Sequence, residues 1–199
     1  MKRTSLSLAG GLATALMLVT APTAHAAVGA KDVPSEGDIV KAFPELAGGQ
    51  FTTQRTKQVA VPGKTCGTGS TEKAKSGVTT TGVSTSGTSI VVTGAAEVAS
   101  PRKAKSYLAA YKKYVKKCAT FTEPTTGAVI TSSTGKAFRL GDGSLTVVQQ
   151  TTINGVVSYS TSVLVVDGKK VASIAAVDDA AVPTASIKKL AKVAVKKLR

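Results

Sequence analysis

Three runs rich in β-branched residues, Leu145–Ile153, Val156–Val166 and Lys169–Val177, follow one another with only Asn154-Gly155 and Asp167-Gly168 between them. Turns this short reverse the chain, because Asn, Asp and Gly tolerate the positive φ that a type I′ turn requires. A parallel connection would need a crossover of a dozen residues or more. The second half of the chain therefore reads as an antiparallel meander. Val163–Val166 is apolar without alternation, which marks a central, well-covered strand. Val129–Ser132 and Phe138–Leu140, the latter before a Gly141-Asp142-Gly143 turn, add shorter extended pieces.

The first half is less regular. Ser35 caps a short helix with Asp38 three residues on, and Ile39, Val40, Phe43 and Leu46 supply its apolar face until Pro44 and Gly48-Gly49 end it. Phe51–Val61 reads as extended, and Pro62-Gly63 as a turn. Residues 68–100 have the Ser/Thr/Gly composition of a linker. Within them Val78–Val83 and Ile90–Val98 are β-rich, and Ser86-Gly87 can turn between them into a hairpin.

Ser100-Pro101 then opens a helix over Pro101–Thr120. Ala104, Leu108, Tyr111, Val115 and Cys118 recur at spacings of four and three, one face of that helix, flanked by Tyr107 and Tyr114. Thr184 caps a last helix, Ser186–Leu198, with Ile187, Leu190, Ala191, Ala194 and Leu198 facing inward. The order predicts an α+β fold: an antiparallel β-sheet, hairpin plus meander, with helices packed mainly on one face.

The beginning of the chain reads differently. Lys2 and Arg3 precede an apolar run from Leu6 to Val19, and Ala24-His25-Ala26 is a small-x-small cleavage signal. This is the order of a secretory signal peptide, with cleavage between Ala26 and Ala27. No cysteine stands at the cleavage point to take a lipid, and no later apolar run is long enough for a transmembrane helix. The expected organisation is a signal peptide over 1–26, a flexible mature N-terminus over 27–33 and a single α+β domain over 34–199. Localisation is expected to be secreted.

Removing the signal also removes His25, the sole histidine, and with Lys2 and Arg3 lowers the formal charge from +15 to +13. A mature chain without histidine has no Ser-His-Asp or Cys-His arrangement. Its two cysteines cannot make a four-cysteine zinc site. Most of the eleven acidic residues stand beside Gly or Pro or at helix starts, where turns and caps account for them. The one doublet, Asp178-Asp179, could hold a cation or do acid/base work, but it also suits a strand-to-helix loop near a helix N-terminus. The latter is the reading adopted. No glycine pattern matches a phosphate-cradling loop. Neither an enzymatic activity nor a cofactor is expected.

Cys66 and Cys118 remain. An even pair in an exported domain reads as one disulfide. The alternative, a reactive thiol, lacks a C-x-x-C pattern or a neighbouring histidine.

A cysteine after a Pro-containing turn, a Thr/Val hairpin, Ser-Pro, a helix ending in Tyr114 to Cys118, a strand meander and a terminal apolar/basic helix together resemble the PknH-like extracellular sensor domains of actinobacteria. The landmarks are Cys66, Ala104, Tyr114–Cys118 and the last helix, over roughly 65–198. The resemblance implies an α+β fold, a cleft between sheet and helices for an unidentified ligand, and no catalytic residues.

Charge supplies a second functional theme. Arg102, Lys103, Lys105, Lys112, Lys113, Lys116 and Lys117 lie on one helix, and Lys188, Lys189, Lys192, Lys196, Lys197 and Arg199 on the other, with no acid on either. If both helices cover one sheet face, their outer faces form a single electropositive field. Lys far outnumbers Arg there, which suits diffuse attraction rather than bidentate phosphate recognition. The aromatic interleaving of single-strand binders is missing from the exposed faces, so no specific nucleic-acid recognition is expected. The function expected is a secreted, non-catalytic binding or sensor-type domain for an unknown ligand or envelope component. The alternative is a cell-envelope protein held to an anionic cell-wall polymer or lipid surface by Arg102, Lys105, Lys112, Lys113, Lys116, Lys117, Lys188, Lys189, Lys192 and Lys196.

Overall fold

The computed structural model describes residues 28–199. The expected signal sequence and its cleavage residues Ala24, Ala26 and Ala27 lie outside them. Eight strands form one sheet: β1 (Gln50–Pro62), β2 (Gly69–Val83), β3 (Ile90–Glu97), β4 (Thr120–Thr122), β5 (Val129–Thr134), β6 (Gly143–Ile153), β7 (Val156–Asp167) and β8 (Lys170–Asp178). The spatial order is β1-β2-β3-β8-β7-β6-β5-β4, and every neighbouring pair is antiparallel. Helix α1 is Glu36–Ala42, α2 is Pro101–Lys117 and α3 is Thr184–Leu198.

The chain makes a three-strand meander, crosses from the middle of the sheet to its far edge through α2, and returns strand by strand until β8 pairs with β3. Asn154 (φ 50°) and Gly155 (φ 78°) form the β6–β7 turn with positive φ at both positions, as a type I′ hairpin requires. Ser35 accepts from Asp38 N–H, and the Asp38 carboxylate reaches back to Ser35 N–H, closing the expected capping box of α1.

The α+β class and the hairpin-plus-meander sheet are as expected; the placement of the helices is not. They divide between the faces: α1 and α3 cover one, and α2 covers the other. The cause lies in β7 and β8, which are apolar on both sides of the pleat. Val163, Val165, Ala172 and Ile174 point to α3, where they join Ile187, Leu190 and Ala194. Val166 and Val171 point the opposite way and join Leu145, Val147, Leu108 and Val115. Successive strand residues alternate faces, so the unbroken run Val163–Val166 needs cover on both.

Three further expectations are corrected. Residues 28–33, expected to be flexible, are packed: Val28 and Val33 are buried in the α3-side core, and Val28 N–H donates to Ser76 Oγ at 3.0 Å. Strand β2 starts at Gly69, well before Val78, because its polar first half pairs with the outer half of β1. Thr184 is the first residue of α3 rather than its cap; Pro183 holds the cap position without a side-chain hydrogen bond. No helix of the described residues is long and apolar enough to cross a membrane.

Candidate functional site

Helix α2 presents Tyr107, Tyr111 and Tyr114 at i, i+4 and i+7, a single helical face. Each hydroxyl reaches the outer half of the β1–β2 hairpin. Tyr107 donates to Glu72 Oε2 (3.2 Å), Tyr111 donates to the Ala60 carbonyl (3.1 Å), and Tyr114 accepts from Gly67 N–H (2.8 Å). Lys103 pairs with Glu72 at 2.5 Å, and Lys117 Nζ donates to the Lys64 carbonyl at 2.9 Å.

The Cys66–Cys118 disulfide completes the attachment, as the cysteine reading expected. Cys118 caps α2 and is 1% exposed. Gly67, next to Cys66, has φ +81°, and a Cβ there would stand 3.0 Å from the Phe121 ring, so only glycine suits the hairpin tip. A bulge at Thr56/Gln58 breaks the β1–β2 register. Bulges bend and twist a strand, and the hairpin beyond this one turns onto α2.

Beneath this arm lies an apolar trough that encloses about 90 Å³. Its floor is small: Gly94 and Ala96 from β3, Ser173 and Ala175 from β8, Ser162 from β7. Val59, Tyr111, Leu145, Val147 and Leu164 make its walls, and no charged side chain lines it. Burial, with the neighbouring Tyr114 as a lesser cause, pushes the Tyr111 phenol up to about 12. Burial and the Glu72 carboxylate do the same for Tyr107. The hydrogen bond from Lys103 holds Glu72 below the usual carboxylate range.

The candidate basic residues are exposed but do not converge. Arg102, Lys105, Lys112, Lys113, Lys116 and Lys117 stand on the outer side of α2. Lys188, Lys189, Lys192 and Lys196 stand on α3, across the sheet. The single electropositive field expected for helices sharing a face is therefore two separate surfaces. Other elements supply the acids the helices lack: Glu72 for Lys103, Asp38 for Lys197 (3.6 Å) and Asp167 for Arg199 (2.7 Å). The Asp178-Asp179 doublet ends β8. Although burial works against its charge, hydrogen bonds from Ser89 and from Ala180 N–H keep the Asp178 pKa lowered.

The helical spacing places the three rings on or beside the apolar face of α2 and leaves their attachments to the hairpin unspecified. A signal was present: phenol hydroxyls set along an apolar stripe must find hydrogen-bond partners once buried. What the spacing could not supply is the partner, a hairpin tip some 40 residues earlier in the chain.

The fold defines an α+β domain whose large antiparallel sheet carries helices on both faces and a hairpin fastened over one of them. That fold is shared with the extracellular domain of PknH from Mycobacterium tuberculosis, at a TM-score of 0.56 and 11% identity, over 83% of this chain and 92% of that one. An uncharacterised protein from Mycobacterium smegmatis aligns over 80% of this chain and 96% of its own, with a TM-score of 0.45 and 11% identity. No protein-family model matches the sequence, and no curated protein does. The expected PknH-like fold is present, and at this identity the likeness is one of fold alone.

Proposed function

We propose that the protein is a secreted, non-catalytic binding or sensor-type domain whose ligand lies in the trough between α2, the β1–β2 hairpin and the sheet. The observation that carries this reading is the trough itself: an uncharged concavity with a floor of Gly, Ala and Ser, held open by a hairpin that a disulfide and three tyrosines fasten at its tip. Ligand sites are concave, mostly apolar and largely preformed. A lining of this kind recognises apolar surface, so the ligand part it holds is a hydrocarbon chain or ring. Export is supported by the signal-like N-terminus and by the disulfide, which persists in oxidising compartments.

Titration with an environment-sensitive apolar dye tests this. Saturable binding is expected for the mature protein. Ala175→Leu and Ser162→Leu, which fill the floor, should weaken it at least tenfold while the circular dichroism stays unchanged. Equal dye affinity in both folded variants would sink the reading.

A second reading rests on the outer face of α2. Its 17 residues extend about 25 Å, and among the described residues Arg102, Lys105, Lys112, Lys113, Lys116 and Lys117 form no ion pair. That line of cations suits a linear anionic wall polymer better than a lipid surface, because no large apolar side chain projects among them to enter a bilayer. Retention on immobilised polyphosphate should fall with rising salt, and should fall further in the Lys112→Glu/Lys116→Glu variant. Retention insensitive to both would remove the second reading.

A further inference from the structure

The two edges of the sheet are unlike. At one, β4 offers only Thr120–Thr122. At the other, β1 offers a long strand, and among the described residues no strand pairs with its outer side. Such edges recruit further strands unless they are short, charged, bulged or broken by proline. The outer half of β1 has these protections: the bulge at Thr56/Gln58, Lys57 within it, and Pro62 at its end. Gln50–Arg55 has no bulge and no proline, and its single charge, Arg55, comes last.

The ladder shows which backbone groups face out. Ser84 N–H donates to the Ser89 carbonyl at 2.9 Å, so at this end of β2 the even-numbered residues turn toward β3 and the odd-numbered ones toward β1. Val83, Thr81 and Thr79 therefore bond Gln50, Thr52 and Gln54. Phe51, Thr53 and Arg55 turn N–H and C=O away from the sheet, and among the described residues no backbone bond outside the ladder reaches them. Their side chains share one face. Phe51 rests on Gly82, half-buried, Thr53 Oγ1 meets Thr80 Oγ1 at 2.9 Å, and Arg55 is exposed.

We infer that this edge pairs with the same edge of a second copy, antiparallel, about a two-fold axis at Thr53. The register is self-complementary, as a two-fold contact must be. Thr53 meets Thr53 on the axis. Phe51 of each copy meets Arg55 of the other, so a guanidinium lies over an aromatic ring on both sides of the axis. A register shifted toward Arg55 brings the two guanidinium groups together; one shifted the other way leaves ring and cation without each other. The outward N–H and C=O groups of Phe51, Thr53 and Arg55 then all find partners. An edge of about six residues buries less than the roughly 800 Å² per partner of a standard interface, so the dimer is weak and reversible. The contact leaves the trough open, because the arm beyond the bulge takes no part in it.

Sedimentation equilibrium over about a hundredfold range of concentration tests the inference. The mature protein should pass from monomer to dimer and no further, since paired β1 strands leave only the short β4 edges outside. Thr53→Pro removes an outward N–H and no bond to β2; it should keep its circular dichroism and weaken dimerisation at least about tenfold. Thr53→Cys should cross-link two copies on oxidation, because hydrogen-bonded antiparallel partners stand about 5.5 Å apart at Cα, within disulfide reach. Ser86→Cys, on the exposed β2–β3 turn, should not. The inference is overturned by a protein monomeric throughout the range, by a folded Thr53→Pro variant that dimerises as tightly as the parent, or by Ser86→Cys cross-linking as readily as Thr53→Cys.

Discussion

At Tyr111 one side chain serves both as wall and as fastening. Its ring lines the trough, and its hydroxyl holds the Ala60 carbonyl of the arm above. Tyr111→Phe keeps the wall and removes the bond, so a loss of about 0.5–1.5 kcal/mol in urea unfolding is expected. The same burial sets a pH limit. An unfolded tyrosine ionises near pH 10, whereas Tyr107 and Tyr111 keep their protons to about 12. Between those values the folded protein binds more protons than the unfolded chain, so stability falls as pH rises through this window and is whole below it. Alkaline titration followed by ultraviolet absorbance should show both phenols un-ionised near pH 11; full ionisation there in the folded protein would contradict their burial. At this scale the sequence was informative about direction and silent about partners. Spacing alone put Cys118 with Tyr111 and Val115 on the inner face of α2, and it is there; that Glu72, Ala60 and Gly67 would meet the hydroxyls needed the folded hairpin.

The β1–β2 hairpin is the element least visible in the sequence. Gly69–Gly77 is polar and mostly lacks β-branched residues, so composition argued for a linker, yet these residues pair with β1 to the end of the arm. Pairing to a neighbour outweighs intrinsic β-propensity, and the disulfide holds the tip in place. A sequence separation of 52 between the cysteines makes the closed loop long. In the chain-entropy model that is worth about 4 kcal/mol. The Cys66→Ser/Cys118→Ser variant should lose about that much in chemical denaturation. Amide exchange should quicken first near Gly67, while α3 and β8 keep their protection. A variant as stable as the parent would show that the tyrosines alone suffice. The helices were easier to read. The stripe from Ala104 to Cys118 and the run Ile187–Leu198 fix α2 and α3 to within a few residues, because 3.6-residue periodicity is a local property.

Over the whole molecule, two-sided burial of β7 and β8 organises everything else. It sends α2 and α3 to opposite faces, splits the lysines into two surfaces, and leaves the trough on the α2 side of the sheet. The proposed export carries a prediction of its own. The protein recovered from culture medium should begin at Ala27 and contain no titratable thiol, as intact mass and thiol labelling will show; a retained residue 1 or two free thiols would count against a secreted, disulfide-closed domain. The strands of the meander, their Asn-Gly and Asp-Gly turns, the two amphipathic helices and the single cysteine pair were legible along the chain, since each depends on residue type and near spacing. Which face each helix covers, which acids answer which lysines and where the trough lies were settled by folding. Those depend on contacts such as the β3–β8 ladder, where Val91 meets Ala176, and no local period records a pairing between residues so far apart in the chain.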